Sequence, residues 1–298
     1  MEPLIIEPIR ISYLWGYEDW CISAHQRADC LIQNGPYKGM HLSKLWQNHR
    51  ELFGNMPGEV FPLLIKLIDT DLDVSIQVHP DDAYASAHEH GALGKSECWY
   101  ILNLRKGTDT AIIGNRATDM KQAEELIAAQ NWTAFLNEVP IHAGSFLQIN
   151  PGTIHAVHGG TRFLETQQNS DITYRLYDYN RLQNGKPRQL HTTQAIACMN
   201  VPDHLDTDQP AEIETAYGSI THLVQCPRYT AEKIVIHHPG TMEFNHLFET
   251  VSVLSGSGMI GDIPVHENTF IILPHDLPAA TWSGDFTAIV SWPPDQQR

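Results

Sequence analysis

The 298-residue sequence predicts a mainly β protein, with two antiparallel barrels or jelly rolls and a few helices inserted in and around the N-terminal one. Short apolar runs of strand length recur along the chain and are separated by Gly, Pro and Asp. Only three stretches carry helical spacing. The 42% hydrophobic and 18% charged residues supply enough apolar surface for a packed core, which excludes disorder for most of the chain.

In chain order, the first marked element is a short helix framed by Ser43 as N-cap and Gly54 just past its end. Strand-type runs follow at 61–68, 74–79 and 99–104. A second helix starts at Thr118 or Asp119 and runs through Met120, Ala123, Leu126 and Ile127. A third covers 132–138 and stops before Pro140, because the residue preceding a proline avoids the helical region. Strands are expected again at 145–149, 162–167 and 172–177. From about residue 212 the pattern is almost purely β, with runs at 220–224, 233–236, 250–254, 269–273 and 287–291. The aperiodic, Asp-rich stretch 200–210 is the linker candidate and divides the chain into 1–200 and 201–298.

Charge narrows the function. Thirty-five Asp and Glu against 19 Lys and Arg leave −16 with histidine neutral. A nucleic-acid binder would show a basic stripe instead, and an anionic membrane surface would repel this chain. The first residues lack the basic and apolar pattern of a signal peptide, and no apolar run is long enough to span a bilayer. Five cysteines, odd in number and without a CxxC pair, read as reduced thiols of a cytoplasmic protein. Seventeen histidines make an imidazole-ligated metal the chemistry to look for.

Four segments carry that chemistry. In 74–79, Val74, Ile76 and Val78 alternate with Ser75, Gln77 and His79, so the polar three share one strand face. Gln77 and His79 are then neighbours that either hold one ion or meet water along a half-exposed edge. Lys95 and Glu97 stand two residues apart at the start of an apolar strand, lining one pocket or forming a surface ion pair. In Pro151-Gly152-Thr153-Ile154-His155 a tight turn delivers His155 to a strand start, as a ligand or as a solvated residue. Alternation in 171–177 groups Asp171, Thr173, Arg175 and Tyr177 on one face. That face suits an anion beside a proton-transfer group, or a structural ion pair. Arg181, Lys186 and Arg188 follow, either to bind phosphate or, as the favoured reading, as solvated residues.

The order Gln-x-His-Pro-Asp, Gly-Lys-x-Glu-Cys-Trp-Tyr, Pro-Gly-Thr-x-His and Ser-Asp-x-Thr-Tyr-Arg closely resembles the type I mannose-6-phosphate isomerases in their short bacterial form. The resemblance extends to Leu14-Trp15-Gly16, Trp20-Cys21-Ile22-Ser23 and 61–66, so it covers nearly the first 180 residues. It implies a cupin fold, with a catalytic domain over 1–200 carrying helical insertions and a metal-free cupin-like β domain over 201–298. It also implies one Zn2+ per chain, held by Gln77, His79, Glu97 and His155. Two imidazoles, a carboxylate and an amide oxygen suit zinc, and a single Glu leaves it strongly Lewis-acidic.

The implied reaction interconverts mannose 6-phosphate and fructose 6-phosphate through a cis-enediol(ate). Arg175 and Lys95 would stabilise the developing charge, and Asp171 is among the candidate acid/base groups. Ser75 and Trp15 are implied pocket residues. The implied partner is therefore a small phosphorylated sugar, neither nucleic acid nor membrane. Longer family members carry His immediately before the lysine, where this chain has Gly94. The rival readings are a non-catalytic sugar-phosphate-binding bicupin, an isomerase of another aldose 6-phosphate, and an Fe(II) oxygenase. The neutral Gln disfavours the oxygenase.

Overall fold

Residues 2–203 and 209–294 are described by a computed structural model in which strands dominate. Two compact units emerge, one of residues 2–10, 19–66 and 209–294, the other of 11–18 and 67–203. This division differs from 1–200 and 201–298, and the reason is long-range pairing. Leu4–Glu7 adds to the C-terminal sheet, with Leu4 opposite Ile272 and Ile5 opposite Ile271. Leu31–Ile32 then pairs with the same strand, Ile6 facing Ile32. Trp46 and Phe53 meet Phe248 edge-to-face, and Phe61 meets it at a tilt of 37°, in one aromatic cluster. No local pattern reveals either contact. Of the linker candidate 200–210, residues 204–208 lie outside the described residues.

In the first unit the long strands Glu249–Ile260 and Ala280–Trp292 pair centrally, and Ile236, Val251, Ile271 and Trp282 pack beneath them. The expected helix near residue 43 forms as Leu42–Asn48 followed by a 3-10 turn, Arg50–Phe53. Gly54 closes it in the left-handed region. Its start differs from expectation. His41 is the N-cap, and Ser43 inside the first turn gives its N–H and hydroxyl to the Asp29 carboxylate at 3.0 and 2.5 Å. A distant side chain thus does the capping that the sequence assigned to Ser43.

In the second unit, Leu136–Pro140, Thr110–Asn115, His155–Val157, Ile76–Val78 and Tyr174–Tyr177 form one antiparallel sheet in that order. Phe146–Ile149, Glu97–Leu104 and Thr161–Gln168 run together in another. Trp99, Ile101, Ile113, Val139, Leu147 and Phe163 contribute to one buried cluster from both sheets. These sheets have ends, so the expected closed barrels are absent as such. Alternation reports which face of a strand is buried and says nothing of whether edge strands bond to close a ring. The helix at 120 forms as Met120–Ala128, with the Asp119 carboxylate accepting from the Gln122 N–H. The helix expected over 132–138 shrinks to Trp132–Phe135, because Leu136–Pro140 is used as a strand against Thr110–Asn115.

Leu4 is 1% exposed, so its truncation opens a cavity. Leu4→Ala is expected to destabilise the chain by about 2–4 kcal/mol in chemical denaturation. An unchanged midpoint would mean that the N-terminal strand is not docked. In the second unit, His158 Nδ1 lies 3.5 Å from Asp73 Oδ2. The bond to Asp73 raises the imidazole pKa, and the bond from His158 lowers that of the carboxyl. The raised histidine stabilises below its unfolded pKa, and that contribution is lost as pH climbs through the folded one. The lowered aspartate stabilises above its unfolded pKa and loses its contribution on acidification. His158→Gln should therefore lower the melting temperature more at about pH 5.5 than at about pH 8.5. Equal losses at both would refute the pairing.

Candidate metal centre

The site is assembled around the segment His79-Pro80-Asp81-Asp82, which backbone bonds tie to two others. The Gly152 N–H donates to the His79 carbonyl at 2.9 Å, and the Lys95 N–H to the Pro80 carbonyl at 3.0 Å. The Gly94 N–H donates to Asp82 Oδ1 at 2.7 Å, and Gln168 Nε2 reaches the same oxygen at 3.0 Å. Gly94 is needed here. A Cβ at this position would lie 2.4 Å from the Asp81 carbonyl carbon and 2.5 Å from the Asp82 nitrogen. A histidine at 94 therefore has no room on this backbone. Gly152, at φ +87°, makes the turn that leads to His155.

Antiparallel register then aligns the side chains. Arg175 pairs with Gln77, and Gln77 with His155, so the three form a row across adjacent strands on one face. Glu97 comes from the other sheet. His79, Glu97 and His155 are each at most 1% exposed, and their ligand atoms lie within 4.8 Å of one another. Glu97 Oε2 is 3.5 Å from His79 Nε2, and its Oε1 is 3.4 Å from His155 Nε2.

Protonation follows from the outer partners. His79 Nδ1 faces the Ile172 carbonyl at 2.7 Å, and His155 Nδ1 faces that of Thr153 at 2.9 Å. Each Nδ1 must carry the hydrogen, which leaves both Nε2 atoms as bare lone pairs. Burial, assisted by the Lys95 charge, drives the His79 imidazole down to about 3, and burial lowers His155 as well. Both rings are neutral at ordinary pH. Burial alone would raise the Glu97 carboxyl. The Lys95 ammonium, 2.7 Å from Oε2, overrides that and, with the imidazoles, holds it well below the usual carboxylate range.

Lone pairs on two neutral nitrogens therefore converge on an ionised carboxylate with no proton between them. His79 Nε2 and Glu97 Oε1 have no hydrogen-bond partner among the described residues. Buried acceptors that face one another are costly unless a cation sits among them. The donor set thus fits a metal ion, and of the four ligands that the resemblance implies these three form the candidate group. Gln77 Nε2 lies 3.2 Å from His155 Nε2, and a half-turn of the carboxamide would present its oxygen instead.

The other sequence candidates fall as follows. Ser75 Oγ accepts from Arg175 Nε at 3.2 Å and lies 3.5 Å from Gln77 Oε1, which links the guanidinium to the row. Asp171 is half-buried in the loop before Tyr174–Tyr177, next to the Ile172 carbonyl that orients His79. Trp15 sits in the core cluster, stacked on Tyr13 at 4.9 Å. Tyr177 departs from the expected face. A bulge between Arg175 and Tyr177 sets it opposite Ile76, and it stacks on Trp132 at 4.7 Å. Arg181 and Arg188 are not solvated as read from the sequence. Their side chains are 15% and 14% exposed and converge on the buried Asp178 carboxylate, Arg188 at 3.1 Å; Lys186 is exposed. Burial, then the charges of Arg188 and Arg181, lower the Arg175 pKa.

Sequence reasoning assigned no role to Glu165. It is buried, takes the Trp99 indole N–H at 3.0 Å, and lies 3.7 Å from Lys95 Nζ. Its signal was a carboxylate on the same strand face as Phe163, where alternation calls for an apolar residue.

Residues 15–103 match the family model described as phosphomannose isomerase type I, catalytic domain. Over 97% of its length the chain is 39% identical to mannose-6-phosphate isomerase of Streptococcus mutans serotype c, covering 98% of that protein. It is 37% identical, over the same shares of both chains, to mannose-6-phosphate isomerase ManA of Bacillus subtilis. A crystal structure of the mannose 6-phosphate isomerase from Bacillus subtilis matches with a TM-score of 0.95 at 37% identity, over 98% of this chain and 100% of that one. With these site residues on a fold and a sequence shared from end to end, the chain belongs to the type I phosphomannose isomerase family.

Proposed function

We propose that the chain is a zinc-dependent aldose–ketose isomerase that interconverts mannose 6-phosphate and fructose 6-phosphate in the cytoplasm, on a cupin-like fold of open sheets. The observation that carries this reading is the buried group His79, Glu97 and His155, two neutral imidazoles and one carboxylate with donor atoms turned toward one another. Zn2+ held there, with Gln77 as the fourth ligand, would supply Lewis acidity toward the sugar's C1 and C2 oxygens. Geometry alone also admits a non-catalytic binder. The Lys95 ammonium and the Arg175 guanidinium beside the group, together with the family, favour turnover.

The reaction moves one proton from C2 to C1 of the open-chain aldose. The C2–H bond breaks, its electron pair forms the C1–C2 double bond, and the C1 carbonyl oxygen takes up charge as the cis-enediolate forms. Proton exchange between the two oxygens and reprotonation at C1 then give the ketose. Lys95, held between Glu97 and Glu165, can donate to the developing oxyanion. Arg175, held through Ser75 and the Gln189 carbonyl, adds a second fixed positive charge on the Gln77 row. Asp171 and Lys95 are the candidates for carrying the proton. Trp15 supports the wall from within the core.

The test is NMR-detected conversion of mannose 6-phosphate by the purified protein, with chelation and zinc add-back. Fructose 6-phosphate should form, stop on chelation and return with zinc. Absence of turnover from a protein shown to be zinc-loaded would leave the sugar-phosphate binder as the better reading. Two substitutions separate the roles. His155→Ala should lose bound metal and activity together. Arg175→Ala should keep stoichiometric metal while kcat falls by roughly 100-fold or more. Wild-type zinc content and rate in either variant would overturn its assignment.

A further inference from the structure

Gln167 lies on Thr161–Gln168 with Glu97 as its direct cross-strand partner, and Glu165 pairs with Trp99 one step along. These side chains share the face that carries Trp99, whose ring centroid is 5.6 Å from that of His155. Gln167 is 0% exposed. Its Nε2 donates to the Gln168 carbonyl at 2.8 Å and to that of Ser170 at 2.5 Å. Two carbonyls on the nitrogen side fix which way round the carboxamide stands. Oε1 is therefore the free end of a locked dipole, itself buried, and it has no hydrogen-bond partner among the described residues. A buried acceptor in a rigid setting calls for a donor that the described residues do not supply.

The chemistry of that donor is restricted. Oxygens on C1 and C2 gain negative charge during isomerisation and call for donors, not for a second acceptor. A phosphate dianion has no proton to give. Hydroxyls along the middle of the sugar chain remain, and the pairing with Glu97 keeps Gln167 close to the reacting carbons. We propose that Gln167 Oε1 accepts a hydrogen bond from the C3 or C4 hydroxyl of the substrate, which makes Gln167 a specificity-determining residue. This rests on the proposed isomerase reading. A site built to pair a hydroxyl rejects an analogue lacking it, since the protein acceptor is then left buried and unpaired.

The experiment is a chemical double-mutant cycle. kcat/KM is measured for wild type and Gln167→Met with mannose 6-phosphate and with its 3-deoxy and 4-deoxy analogues. Wild type should lose roughly tenfold on one analogue. The variant should lose a similar factor on the parent and show a parent-to-analogue ratio near 1 for that same analogue. Damage to the Gln168–Ser170 turn would slow all three substrates alike, so an unchanged ratio for both analogues overturns the proposal. A variant that fails to fold is bypassed by a crystal of wild type with mannitol 6-phosphate, which cannot isomerise. A C3 or C4 hydroxyl within about 3.2 Å of Oε1 is expected there. A water or a protein donor in that place overturns the assignment. Lack of turnover by zinc-loaded wild type would sink the functional reading instead, and the mannitol 6-phosphate complex would still test the contact.

Discussion

Glu97 sets the conditions for everything around it. A carboxylate with no solvent exposure is stable only if nearby cations and dipoles replace the water it has lost. Lys95 does part of this at 2.7 Å, but an ammonium on one oxygen leaves the other facing a bare imidazole nitrogen. Both histidines are neutral because burial penalises their charged forms, and their hydrogens are committed to backbone carbonyls on the far side. The remaining deficit is an electron-rich centre of definite geometry. A divalent cation offsets it in a way that protons cannot.

The spacing of the motifs follows from how that centre is held. His79 to Asp82 is a hub whose carbonyls and carboxylate receive the N–H groups of Gly152, Lys95 and Gly94. Each bond fixes the start of a segment that then delivers a ligand or a charge a few residues on: His155 after Gly152, Glu97 after Lys95. The glycine at 94 belongs to this hub, since its Cα rests against the Asp81–Asp82 peptide. Any group that opens the sugar ring must therefore come from elsewhere, or from water.

Much of this was legible because alternation is a strong signal where one face is buried. It grouped Ser75, Gln77 and His79, and turn chemistry placed His155 at a strand start; the structure brings His79, Glu97 and His155 together. What escaped was decided by partners far away in sequence. The Arg175–Tyr177 bulge is a property of pairing with Ile76–Val78, and no residue type announces it. Asp178 gathers Arg181 and Arg188 out of solvent because it is itself buried, which composition does not reveal. Ser43 reads as a cap by residue type, yet Asp29 does the capping. The division at residue 200 puts Leu4–Glu7 with the first half, while this strand pairs with Phe270–Leu273.

The acidic surplus bears on how such a site works. With −16 overall, the long-range field opposes a phosphorylated sugar, and salt screens that opposition beyond about 8–10 Å. Attraction must come from charges close to the substrate's path. Arg175, Arg181 and Arg188 stand near enough for the latter two to lower the first, and one carboxylate, Asp178, is shared by the outer pair. Two cations on one buried anion leave a net positive patch whose side chains are already ordered. Little conformational entropy remains to be lost when an anion arrives. The candidate metal group has the reverse arrangement, with anionic and lone-pair groups balanced by Lys95.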